Sequence, residues 1–171
     1  MKIKQILGIV LLLGVAPVMS RAALFDAFLK IEGIEGESTD SAHRGEIEIL
    51  SYSLGLSKAE EGGGVVSGKV QISDLQITKQ FDKSTPKLML ACATGQHINQ
   101  VLLTLRKGNA RGGSEFLQIT LENVQITSYQ LGAHAGNAVP VDQFSLNFEK
   151  IKVQSPTGGA AEIDVGQAAA N

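Results

Sequence analysis

Three histidines, one cysteine and a short glycine run are the residues of this chain whose types could do chemistry. His43 has Asp40 and Glu37 nearby, a donor set that could hold a divalent metal, but no second histidine stands at ligand spacing. The reading is therefore a solvated loop side chain, and His134, in the loop Ala133 to Asn137, is read the same way. Cys92 lies in an apolar stretch with no neighbouring base, which makes it a small buried hydrophobe, slow towards thiol reagents, and not a nucleophile. Gly62 to Gly64 have the composition of a phosphate loop, yet no Gly-Lys-Ser/Thr ending follows and no strand-to-helix junction is present. That segment, Lys58 to Gly68, reads as a mobile hairpin loop. No Ser-His-Asp or Cys-His order has a supporting motif, so the chain is expected to be no enzyme, with no catalytic, cofactor-binding or metal-ligating residue.

The elements that would carry a non-catalytic function stand out more clearly. Phe81 to Ile98 is the one internal stretch that reads as a helix: Thr85 can cap it, Pro86 tolerates the first turn, and Gly95 supplies a left-handed stop. The helix so defined runs over about Pro86 to Thr94. Leu88, Met89, Leu90, Ala91, Cys92 and Ala93 make it apolar nearly all round, whereas a helix on the surface of one small domain should keep a polar outer side. One side can pack on its own domain, and the other calls for a second cover. With Leu88 and Cys92 turned inward, Leu90 turns outward; Leu90 and Ala91 are the helix's candidates for contact with another subunit.

Elsewhere the chain alternates with period two. Ala27, Leu29 and Ile31 alternate with Phe28, Lys30 and Glu32 in a half-buried first strand, after which Gly33 to Gly45 is a polar loop. Glu46 to Ser57 reads as one long strand, with Leu50, Tyr52, Leu54 and Leu56 as its core face. Lys69 to Phe81 changes phase at Ser73-Asp74, which predicts a bulge, and a second slip falls at Glu122-Asn123 between Leu121 and Val124. Val101, Leu103 and Leu105 share a face, as do Phe144, Leu146 and Phe148. About six strands at hairpin spacing with one short helix predict a mainly β fold, a small barrel of antiparallel strands with a lateral α-helix.

The 171 residues suffice for one domain with a real core, and 43% hydrophobic residues with 19 Gly and no Trp suit a turn-rich β protein. Lys2 and Lys4, the apolar run Ile6 to Val18 and the small-residue site Ser20-Arg21-Ala22 have the order of an export signal, cleaved after Ala22. The run is short for a span, so no stable membrane insertion is expected after cleavage. Removing it takes three basic residues and no acid from the net charge of −2, leaving a mildly acidic chain that argues against nucleic acid as a partner. The predicted divisions are residues 1–22 as signal peptide, 23–154 as barrel domain and 155–171 as a flexible C-terminal tail unable to support a packed element.

The blocks GESTDSAHRGEIEILSYSLG, DKSTPKLMLACATGQHI, LRKG, EFLQITLENVQITS and FSLNFEKI, in that order, closely resemble the haemolysin-coregulated protein (Hcp) family, the tube subunit of type VI secretion systems. The likeness runs from about Leu24 to Val153. It implies a β-barrel with one lateral helix, assembling as hexameric rings that stack into a tube and carry small effector proteins, in company with spike and sheath proteins. It also implies that the loop holding Lys58, Gly62, Gly63, Gly64 and Val65 reaches from the barrel to a neighbouring subunit. Tube subunits of this family polymerise in the cytoplasm without a leader, so the signal is a departure. Met19 offers a leaderless alternative start, which would leave the protein cytoplasmic. A cleaved leader fits a second role, an exported ring or monomer that acts as a binding module outside the secretion machine.

Overall fold

Ala27, Leu29 and Ile31 on one parity of β1 (Phe25–Ile31) are buried, and their register partners Leu105, Leu103 and Val101 are buried opposite them. That seam is the centre of an antiparallel barrel. The computed structural model describes residues 25–58, 70–107, 113–133, 139–156 and 158–165; the leader, Gly62, Gly63, Gly64, Val65 and His134 lie outside the described residues. Further along the chain come β2 (Ile47–Ser53), the short β3 (Leu56–Lys58) and β4 (Val70–Ile72), β5 (Leu75–Gln80), α1 (Thr85–Thr94), β6 (Ile98–Lys107), β7 (Glu115–Gly132), β8 (Val141–Asn147), β9 (Lys150–Gln154) and β10 (Ala160–Asp164). The order β7-β6-β1-β2-β5-β8 closes through β8 pairing back to β7, making a six-stranded barrel as the strand pattern predicts. Its interior is filled by Leu29, Ile47, Leu75, Ile77, Leu103, Leu121, Phe144 and Leu146.

Closure depends on β7, whose 18 residues serve two neighbourhoods. Its first half pairs with β6 and β9, and its second half turns to pair with β8. The turn falls at Asn123, whose φ of 51° is left-handed, a conformation that asparagine accepts more readily than most residues. Leu121 and Val124 are buried on either side of it, so the slip at Glu122-Asn123 is the barrel corner.

Several expectations are corrected. The Glu46 to Ser57 segment is two strands, and its core face begins on Ile47 and Ile49. A bulge between Ile49 and Ser51 adds a residue, leaving Leu50 more than half exposed and passing the inward parity to Tyr52 opposite Ile77. The phase change at Ser73-Asp74 is a break between strands: β4 pairs with β3 in a separate two-stranded ribbon, while β5 joins the barrel. The residues 155–171 do carry a paired element, since β10 runs antiparallel to β9 after a turn at Gly158 and Gly159. Composition hid it because Ala160 to Asp164 borrow an edge that β9 supplies.

α1 ends at Gly95 as expected, with φ 63° and its N–H directed to the last-turn carbonyls. At the other end Ser84 takes the N-cap position, without a side-chain capping bond. Thr85, expected to cap, is inside the helix, and its hydroxyl is engaged with Asp142 instead.

Candidate functional site

Leu88 and Ala91 have no exposed surface and seal α1 to the barrel beside β7. Cys92 is half buried against the same core. Met89 and Leu90 point away: Leu90 is 62% exposed and Met89 45%. The predicted division of the helix into two sides therefore stands for Leu90. It is corrected for Ala91, which its own barrel buries and which no neighbouring subunit could reach.

What fixes the helix in this attitude is a buried polar cluster under its first turn. Lys79 continues the inward parity of Leu75 and Ile77 on β5, and Asp142 continues that of Phe144 and Leu146 on β8; the two are register partners and both are fully buried. Lys79 Nζ lies 2.8 Å from Asp142 Oδ2, 2.8 Å from Asp82 Oδ1 and 2.8 Å from the Gln80 carbonyl oxygen. It also donates to Thr85 Oγ1 at 3.1 Å. The Thr85 hydroxyl donates to Asp142, and Asp82 Oδ1 accepts from the Ser84 N–H at 2.8 Å. Lys79 is thus met by two carboxylates and two further oxygens, and Asp142 Oδ2 takes both the Lys79 amine and the Thr85 hydroxyl, so the two buried charges are paired. Burial pushes the Tyr129 hydroxyl's pKa up, and the Asp142 carboxylate beside it adds to the rise.

A second cluster holds the loop between β1 and β2 against the outside of the barrel. Arg106, on the outward parity of β6, grips Asp40 with both terminal nitrogens, at 3.1 and 2.8 Å, and reaches Asp26 at 3.1 Å. The Arg106 guanidinium beside Asp40 holds that carboxyl well below the usual carboxylate range, helped by the Ala42 and His43 N–H groups. Arg106 also sits 5.1 Å from the Phe28 ring centroid, and the His43 ring stacks on Phe28 with centroids 4.2 Å apart. His43 is therefore buried, correcting its reading as a solvated side chain, and Phe28 is buried although it is on the outward parity of β1. His43 Nδ1 bonds Glu46 Oε2 at 2.9 Å, while its Nε2 lies 3.6 Å from Glu115 Oε1. Gly36 passes so close to the backbone of Glu46 and Ile47 that a Cβ there would lie 2.4 Å from the Glu46 oxygen.

Both clusters are buried, one under α1 and one under the loop between β1 and β2, and both position surface. Among the described residues no three metal-ligating side chains converge. Lys58 is exposed at the end of β3, where it pairs with Val70 in the ribbon that leaves the barrel. The loop glycines and Val65 beyond it lie outside the described residues. Sequence reasoning missed Leu50, Leu56 and Phe81, which are exposed with Leu90. It also missed the two clusters, although Lys79 in phase with Leu75 and Ile77 was a visible signal.

The comparisons with known proteins agree with this geometry. The family model described as "Type VI secretion system effector, Hcp" matches residues 28–154. Protein hcp1 of Pseudomonas aeruginosa is 41% identical over 131 residues, covering 75% of this chain and 81% of that protein. The crystal structure of Hcp1 from Salmonella typhimurium superposes with a TM-score of 0.71 at 32% identity, over 85% of this chain and 97% of the other. A type VI secretion system effector from Yersinia pestis gives 0.70 at 30% identity, over 82% and 100%. With the barrel, the lateral helix and the match running through the same residues, the chain belongs to the Hcp family, the secreted tube proteins of type VI secretion systems.

Proposed function

We propose that the chain is a non-enzymatic ring subunit, six copies closing a ring and rings stacking into a tube whose lumen carries small effector proteins. The observation that supports this most is α1: its inner side completes the barrel, while Leu90 and Met89 remain uncovered on the other. An uncovered patch that meets a different surface on the next copy makes a head-to-tail contact, which closes into a ring when the rotation allows. Covering one such leucine is worth about 1.5–3 kcal/mol, repeated at every interface. Spike and sheath proteins at the ring faces, and effectors within, are the partners this role requires.

The leader supports an additional reading, export with removal of residues 1–22, giving an exported ring or monomer that serves as a binding module. Lys2 and Lys4, the apolar run and the site ending at Ala22 carry it. Two measurements test the proposal. Electron micrographs of the chain from Ala23 onward should show sixfold rings; uniformly monomeric particles would reject the ring. Intact mass of the protein from its native host should begin at Ala23, and a chain beginning at Met19 or Ser20 would return it to the cytoplasm.

A further inference from the structure

Two of the exposed apolar side chains, Leu50 and Phe81, share a groove of about 540 Å3 with Glu37, Glu48 and Asp82. The bulge that turns Leu50 outward supplies its apolar side. The loop between β1 and β2, whose Ser38 N–H donates to the Glu46 carbonyl oxygen at 3.0 Å, brings Glu37 to the other. Asp82 is matched by Lys79, but among the described residues no side-chain cation pairs with Glu37 or Glu48, both of which are exposed. The groove therefore sets two apolar surfaces beside two carboxylates that lack a cation, which suits a short segment with a positive charge next to an apolar group.

Such a segment precedes β1 in this chain. Residues 1–24 carry Lys2, Lys4 and Arg21 and no acid. β1 runs antiparallel to β2 with Phe28 opposite Glu48, so Phe25, where the described chain begins, lies about 10 Å along the strand from Glu48. Leu50 lies on the Phe25 side of Glu48. The stretch from Arg21 to Phe25 spans up to about 14 Å, so a segment that turns back brings the Arg21 side chain to Glu48. In an extended Met19-Ser20-Arg21, Met19 and Arg21 share one side. We infer that, in any chain that keeps it, the segment Met19 to Ala22 docks in this groove, Arg21 against Glu48 and Glu37 and Met19 against Leu50 and Phe81. The bond after Ala22 is then shielded in the folded chain. Folding before cleavage keeps the leader on, cleavage before folding leaves the groove open, and the order of the two events fixes which form persists.

The test uses the chain from Met19 to Asn171, which holds Arg21 whichever start the native host uses, and follows by mass spectrometry the trypsin cut between Arg21 and Ala22. Cutting of a folded chain tracks the population in which the bond is free, so it should run roughly tenfold or more slower than in a free peptide of residues 19–30. Glu37→Gln combined with Glu48→Gln removes both charges at exposed sites and keeps the oxygen that accepts the Lys83 N–H. That variant should bring the cut close to the peptide rate, and Leu50→Ser should move it the same way, each with an unchanged circular dichroism spectrum. The protection should also persist on dilution to single subunits, because the contact lies within one chain. A native chain cut as fast as the peptide would overturn the docking, and so would protection that both variants leave intact. Protection that disappears on dilution would assign the groove to a neighbouring copy and overturn the proposal equally.

Discussion

Leu88 and Leu90 are two positions apart on one short helix and have opposite fates, one without exposed surface and the other 62% exposed. Leu88 packs into the barrel core, whereas none of the described residues covers Leu90. The difference shows that burial in this fold is decided by what the barrel offers to each side of α1, since the helix is apolar on both. A side chain on the inner side holds the subunit together, so its loss should read as stability. One on the outer side should read as assembly.

Removing the amine that anchors the inner side is the largest break. Lys79→Ala strands Asp142 and Asp82 without their cation and should cost about 3–5 kcal/mol, measured by denaturant unfolding. A variant as stable as the native protein would show that the cluster does not hold the helix. Leu88→Ala, which opens a cavity between α1 and the barrel, should lower stability by about 2–5 kcal/mol in the same assay. Little loss there would mean that the inner side packs loosely.

The outer loop cluster sharpens the contrast through pH. Asp40 titrates well below its unfolded value of 3.8, so its contribution is complete above that value and is lost as pH falls through the depressed folded value. Asp40→Asn should therefore be less stable than the native chain at neutral pH and converge with it in strong acid, by thermal melts across the acid range. Parallel curves at all pH values would mean that the Arg106 grip contributes nothing to the fold.

How much of this was legible follows the same physics. Period-two alternation exposed the barrel strands, the corner at Asn123 and the inward set Val101, Leu103 and Leu105, because each rests on local parity. Gly95 announced the helix end because a left-handed stop needs little beyond itself. The bulge that turns Leu50 outward and the burial of His43 on Phe28 depend on partners well separated along the chain, and the strand β10 depends on the edge that β9 offers across the Gly158-Gly159 turn; period-two alternation encodes none of these. Lys79 and Asp142 fall between the two cases: each sits in phase with core residues, but their pairing across β5 and β8 appears only in the register. The outward side of α1 was legible for Leu90 and misread for Ala91, since an all-apolar helix leaves its exact rotation to the barrel.

The central claim is that Leu90 belongs to a neighbour. Light scattering at micromolar concentration should give the mass of six subunits for the native mature chain and of one for Leu90→Asp, with an unchanged β-type circular dichroism spectrum. A native monomer, or a Leu90→Asp protein that remains hexameric, would contradict it.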